Sequence, residues 1–339
     1  MNNTSDVGPQ QLYGLYSPAQ RYATAVLYSI CTILIVVCNG FTLYILQTCH
    51  DAFQETTRLF FKALAIVDMC GGLFGACLDF NFLFSVTKIS MIDGPFCTFL
   101  PTIYYTIFNQ TLAILCCVNL DRLLTIVWPL RYPILVTTRH AKIALFFALV
   151  IPLLFTVMVW PVPGFPSTET LRIVCGLNGS VGQWNDWVNA DIERNIWKFS
   201  SFGLILVPAA ITIIITTISN LSLIFISWRH IRKTSFRISN EQQVNRQRIS
   251  QDITKGVRTV LVITFSCYAA LGIWCFTIMY VYPRLGQPGF TVTFIISVVV
   301  ELSTRWWNCL VYLSTSQTFR EHSKKAIKRL CCRANAFRC

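Results

Sequence analysis

Seven apolar stretches, near 23–47, 59–86, 99–120, 141–162, 199–228, 257–282 and 289–313, constrain this chain more than any other feature. Each holds about 20 or more residues, the length a helix needs to cross a ~30 Å hydrocarbon core. Lipid offers the backbone no hydrogen-bonding partner, so such segments become helices, and the chain reads as an all-α, seven-span membrane bundle. Charged residues make up only 13% of the 339 residues, against about 25% in soluble domains, too little polar surface for a water-soluble globule. The first 21 residues are polar, with no basic, apolar and small-residue succession typical of a cleaved leader, so the first span is expected to act as the insertion signal. The expected organisation is an extracellular segment over 1–21, a seven-span body over 22–315, and a cytoplasmic amphipathic eighth helix with a tail over 316–339.

Basic residues orient the bundle. Of 28 Lys and Arg, 21 fall at Arg58 and Lys62, Arg122 to Lys142, Arg229 to Arg258 and Arg320 to Arg338, and six fall on the opposite side. An excess of Lys and Arg marks the cytoplasmic side, which puts the N-terminus outside and the C-terminus in the cytosol. The net charge of +13 therefore belongs to helix ends beside anionic lipid, and nucleic acid is not an expected partner. Residues 229 to 258 read either as a lipid-facing surface or as a partner contact.

Cysteines and glycosylation sequons fit this orientation. Most of the 15 cysteines lie within spans, where they act as small apolar side chains. Cys97 and Cys175 face the oxidising exterior, so a bridge between them is expected. Sequons at Asn2, Asn3 and Asn178 lie outside, whereas those at Asn109 and Asn220 fall within spans and should be silent. Cys331 and Cys332, after an amphipathic basic segment, are candidates for palmitoylation.

Polar residues inside the spans carry the functional signal, because an uncompensated charge at a span centre costs roughly 2.5 to 3.5 kcal/mol. Asn39, Asp68, Thr111, Asn119, Glu301, Arg305 and Asn308 are such residues. Two arrangements are open for Arg305. It neutralises Glu301, four residues away on one helical face, or it reaches Asp68 across the core and replaces a cation that would otherwise balance it. Asp121 and Arg122 stand at the inner end of the third span, 25 residues after Cys97, a rise of about 37 Å along one continuous helix.

Taken in order, these residues resemble the class A, rhodopsin-like G-protein-coupled receptors, over about residues 25 to 332. Asn39-Gly40 is similar to the first-helix motif, Leu64-Ala65-x-x-Asp68 to the second-helix motif, and Asp121-Arg122-Leu123 to the Asp-Arg-Tyr triplet. Pro129-Leu130-Arg131-Tyr132 resembles the second intracellular loop. Pro208 matches the fifth-helix proline, Asn308-Cys309-Leu310-Val311-Tyr312 the Asn-Pro-x-x-Tyr motif, and Phe319-Arg320 the eighth helix. Cys97 with Cys175 matches the family's extracellular bridge. The departures are Leu123 for tyrosine, Cys309 for proline, Tyr268 for the sixth-helix tryptophan, Ala270 for its proline, and Thr216 for a fifth-helix tyrosine. The usual fourth-helix tryptophan aligns with an aliphatic stretch near Leu149.

The resemblance implies a plasma-membrane receptor that binds an extracellular ligand, peptide or small molecule, and activates a heterotrimeric G protein. Its switch residues would be Asp121, Arg122, Asn308 and Tyr312, with Asp252 a further partner of Arg122 if the sixth helix keeps the expected register. The ligand pocket would involve Asp79, Tyr104, Tyr105, Phe108, Tyr268, Trp274 and Glu301, with Trp184 and Trp187 above it. Tyr104 stands where amine receptors carry an aspartate, which disfavours a monoamine held by that salt bridge. The seventh span has no lysine, which excludes a retinal Schiff base at the opsin position. Asp79 and Glu301 favour a ligand with a positive group.

Two other classes compete. A seven-span ion or solute transporter would use Asp68, Glu301 and Arg305 as a path, yet the spans show no internal repeat. An enzyme is not expected: all four histidines fall in segments assigned to the cytosol, and neither paired intramembrane aspartates nor a Gly-x-Ser-x-Gly elbow occurs. Neither a metal nor a cofactor is expected.

Overall fold

The computed structural model describes residues 18–49, 53–85, 95–128, 130–159, 210–226, 262, 264–266, 268–269, 272–273, 287–315 and 317–336. These form α1 (Pro18–Thr48), α2 (Glu55–Ser85), α3 (Pro95–Val127), the short α4 (Tyr132–Leu135), α5 (Thr138–Val159), α6 (Ala210–Ile226), α7 (Gln287–Thr315) and α8 (Gln317–Ala336). The described positions between 262 and 273, in the sixth apolar stretch, are helical. Among the described residues, four helices are long and apolar enough to cross a membrane, within α1, α2, α3 and α5, and α6 adds a shorter apolar helix. Several helices run past the apolar stretches that mark them; α3 spans 95–127 against a stretch of 99–120. Hydropathy senses only lipid contact, whereas backbone hydrogen bonding continues into the interface.

The helices pack α1 on α2 and α7, α2 on α3, and α3 on α5. α3 lies at the centre, with Leu112, Ile114, Leu115, Val118 and Asn119 all buried. The outer faces are apolar: Phe147, Ile151 and Leu154 on α5 and Ile214, Ile218 and Leu221 on α6 are exposed. In water such patches would aggregate, and in a bilayer they meet lipid.

Several hydroxyls inside the described spans are satisfied locally. Ser29, Thr32 and Thr42 of α1 each donate to the carbonyl four residues back, at 2.8 to 2.9 Å. Pro152 lies inside α5, where it removes a backbone donor and disturbs the preceding turn. Side chains of α3 contact α5 around that turn: Gln110 Nε2 donates to the Leu149 carbonyl at 2.8 Å, and Thr106 donates to Thr156 at 2.8 Å.

α8 docks through one aromatic anchor. Phe319 is buried, edge-on to Phe41 of α1 with centroids 6.5 Å apart and 5.6 Å from Tyr312 of α7. Arg320, Lys324, Lys325 and Lys328 occupy its exposed face, the amphipathic division of an interfacial helix. We predict that Phe319→Ala lowers the thermal midpoint of purified protein, with a loss of about 3–5 kcal/mol as for other buried Phe truncations. An unchanged midpoint would show that α8 is not anchored there.

Candidate functional site

Two polar clusters are built on the same helices. The deeper one surrounds Asp68, which faces inward from α2 and is 1% exposed. Its Oδ2 accepts from Asn308 Nδ2 of α7 at 2.8 Å, and its Oδ1 shares the Thr111 hydroxyl of α3, at 3.4 Å, with the Ile107 carbonyl, at 3.2 Å. Asn39 of α1 donates to the Ile35 carbonyl at 3.0 Å and to the Arg305 backbone carbonyl at 2.9 Å, which joins α1 to α7. One set of side chains therefore ties together α1, α2, α3 and α7.

Arg305 makes both contacts between which its sequence position left the choice open. Its Nη2 donates to Glu301 Oε1 at 2.9 Å, and its Nη1 lies 4.0 Å from Asp68 Oδ1. The guanidinium is 2% exposed. At 4 Å and an effective dielectric near 20, opposite unit charges attract by about 4 kcal/mol. That is comparable to the roughly 2.5–3.5 kcal/mol cost of one charge at a span centre, so the contact offsets burial rather than adding large net stability.

Glycine makes the approach possible. A Cβ at Gly71, one turn from Asp68, would lie 2.6 Å from Arg305 Cζ and closer still to Nη1. At the adjoining Gly72, a Cβ would lie 2.7 Å from the Ile35 side chain of α1. The Gly-Gly pair thus seats α7's arginine on one side and α1 on the other, the use that small residues have in membrane helix packing. This pair was a readable signal of close approach that the sequence reading passed over.

The second cluster lies at the Arg122 end of α3. Asp121 is buried, and its Oδ1 accepts from the Tyr132 phenol of α4 at 2.5 Å. The phenol's one proton is committed there, so the Thr56 hydroxyl donates to Tyr132 at 2.9 Å. Thr57 donates to Asp121 Oδ2 at 3.2 Å and accepts from Arg122 Nη2 at 2.5 Å. The direct Arg122–Asp121 pair is long, 3.9 Å from Nε to Oδ2. Thr57 is therefore the closer partner of the guanidinium, and the carboxylate expected to hold it is occupied mainly by Tyr132. Nothing in the residue types of Thr56 and Thr57 announces this role, because hydroxyls at a helix start ordinarily serve as caps.

α4 forms because the chain turns sharply after α3: Arg131 and Tyr132 donate backbone N–H groups to the Trp128 carbonyl at 3.0 and 2.7 Å. That turn buries Tyr132 and leaves Leu130 92% and Ile134 76% exposed.

The remaining sequence-derived residues are distributed as follows. Tyr312 is buried against Phe61, with ring centroids 4.8 Å apart. Cys309 is buried in α7, which runs unbroken through the position of the missing proline. Thr216 is buried and its hydroxyl donates to the Thr212 carbonyl of its own helix at 2.6 Å. Asn119 Nδ2 donates to the Leu115 carbonyl at 2.9 Å and to Thr264 at 3.1 Å, linking α3 to the sixth span. Phe108 and Tyr268 are half-buried. Glu301, expected in the ligand pocket, is engaged by Arg305. Asp79, Cys97, Tyr104, Tyr105, Cys331 and Cys332 belong to helices, and their side chains lie outside the described set. Asn2, Asn3, Cys175, Asn178, Trp184, Trp187, Asp252 and Trp274, with the basic segment 229 to 258, also lie outside the described residues. Among the described residues, no group of three or more His, Cys, Asp or Glu has a metal-binding arrangement.

Sequence comparison adds to this geometry. The family description 7 transmembrane receptor (rhodopsin family) matches residues 38–312. The chain is similar to the alpha-1A adrenergic receptor of Homo sapiens, 24% identical over 185 residues, which cover 54% of this chain and 36% of that protein. It is similar to the Rattus norvegicus counterpart at 25% over 169 residues, covering 49% and 32%. A probable G-protein coupled receptor No9 of Amphibalanus amphitrite is 27% identical over 109 residues, 32% of this chain and 22% of that protein. The matched part spans about a third of the length of the adrenergic relatives.

Burial first, and the Asp121 carboxylate second, raise the Tyr132 phenol above its ordinary value of 10.0. The folded state therefore favours the neutral phenol, and this stabilisation is complete below about pH 10 and lost as pH rises through the folded value. We predict that Tyr132→Phe lowers stability near neutral pH by about 1.5–3 kcal/mol, the worth of a hydrogen bond to a charged group. The variant should also show a shallower alkaline decline in a pH-dependent melting series. An alkaline profile identical to that of the parent protein would contradict the assigned contact.

Proposed function

We propose that this chain, which belongs to the rhodopsin family of seven-transmembrane receptors, binds an extracellular ligand and activates a heterotrimeric G protein through the Arg122 end of α3. It is accordingly a multi-pass membrane protein of a non-enzymatic receptor class. The observation that carries the reading is the Asp121–Thr57–Arg122–Tyr132 cluster. Among the described residues, Arg122 is held by one hydroxyl and a long ion pair rather than a bidentate carboxylate, and its side chain is 23% exposed. A guanidinium with five donors and loose tethers can turn to a partner's carbonyls at modest cost. Leu130 and Ile134 beside it present apolar side chains outward, which suits the rim of a protein contact.

The chain resides in the plasma membrane in this reading, with 1–21 extracellular, 22–315 the receptor domain and 316–339 cytoplasmic. Cys97 pairs with Cys175, Asn2, Asn3 and Asn178 carry glycans, and Cys331 and Cys332 are palmitoylated. The ligand is a peptide or small molecule with a positive group, and Asp79 is its acidic contact. The names of the adrenergic relatives suggest an amine, but Tyr104 stands where the carboxylate that pairs with a monoamine is expected. Support for the receptor over a transporter comes from the engagement of Asp68, Glu301 and Arg305 with one another and with Asn308 and Thr111.

We predict that Arg122→Ala abolishes receptor-dependent nucleotide exchange on G protein in proteoliposomes, and that Leu130→Asp weakens it at least tenfold without altering the melting temperature. Full exchange by Arg122→Ala at equal receptor density would defeat the proposal. Solute flux in the same vesicles would favour the transporter.

A further inference from the structure

A carboxylate stays ionised inside a membrane bundle only with a positive charge nearby, supplied by the chain or by a free ion. Three features identify the source here. The Arg305 guanidinium lies between two carboxylates, 2.9 Å from Glu301 and 4.0 Å from Asp68. It rests on a glycine whose Cβ would displace it. The other groups on Asp68, the Asn308 amide at 2.8 Å and the Thr111 hydroxyl at 3.4 Å, are neutral and bring no charge of their own. The positive charge beside Asp68 is thus the chain's own guanidinium.

We propose that Arg305 is a tethered counter-ion. Its guanidinium, seated on Gly71 between Asp68 and Glu301, holds the place of a free monovalent cation. The parent receptor is therefore indifferent to small cations at this position. Removing the side chain leaves two buried carboxylates without their positive charge, in a cavity about the size of the lost guanidinium. A small cation or a free guanidinium ion can then enter. The inference concerns the bundle's internal charge and is independent of which ligand or G protein the receptor uses.

The test is thermal unfolding of purified receptor in detergent, with sodium chloride exchanged for choline chloride at constant ionic strength. The parent protein is expected to melt at the same temperature in both salts. Arg305→Ala should melt lower in choline and rise by about 2 °C for each tenfold increase in sodium once the site begins to fill. Low millimolar guanidinium should raise the midpoint of Arg305→Ala and leave the parent unchanged or lower. Arg305→Lys, which keeps the charge, should remain sodium-indifferent. If Arg305→Ala does not fold, Arg305→Gln supplies the same comparison with a longer side chain. The parent alone also decides: a saturable, sodium-specific rise that disappears in Asp68→Asn would overturn the proposal. So would an Arg305→Ala or Arg305→Gln protein that folds and responds to neither ion.

Discussion

Asp68 in its buried, four-helix surroundings is the constraint on which the rest of the bundle depends. A carboxylate 1% exposed within a membrane span is tolerable only if every lone pair has a partner and the charge is balanced. The partners come from two other helices, Thr111 from α3 and both Asn308 and Arg305 from α7, whose backbone in turn is held by Asn39 of α1. Meeting the needs of one side chain therefore fixes the mutual register of four helices. Lipid-exposed surfaces cannot do this, since Leu against lipid and Leu against Leu differ little in energy.

The second cluster depends on the first through α2 and α3. Thr57 and Asp68 share α2, and Thr111 and Asp121 share α3, so a shift of α3 along α2 would disturb Asp68's hydroxyl contact and the Asp121–Thr57 bond together. Tyr312 and Asn308, a turn apart on α7, connect the polar core to Phe61 and to Phe319 of α8. A path of packed and hydrogen-bonded groups thus runs from the charged core to the face proposed for G-protein contact.

The fold and the inventory of polar side chains were legible because their physical signals are strong. Twenty apolar residues in succession allow little but a spanning helix, and a charge among them must turn inward. Asn39, Asp68, Arg305 and Asn308 were all found this way. Partner choice was less legible. Glu301 and Asp68 competed for Arg305 on sequence grounds, and distance alone shows that the guanidinium reaches between them. Tyr132 was quoted as part of a loop motif, while its burial onto Asp121 follows from a turn at Trp128 that no periodicity reveals. Thr57 was missed because a hydroxyl at a helix start has an ordinary local use. Gly71 was missed for the opposite reason: its contribution is the atom it lacks.

The central claim is that Asp68 and Arg305 compensate each other's charge in a buried core, so their energetic effects must be coupled. A double-mutant cycle of Asp68→Asn and Arg305→Met, read as unfolding free energy of purified receptor, measures that coupling directly. Each single variant should be destabilised, and the double variant should lose less than the sum of the two by about 2 kcal/mol. Losses that add to within about 0.5 kcal/mol would contradict the account, because residues that compensate one another cannot behave independently.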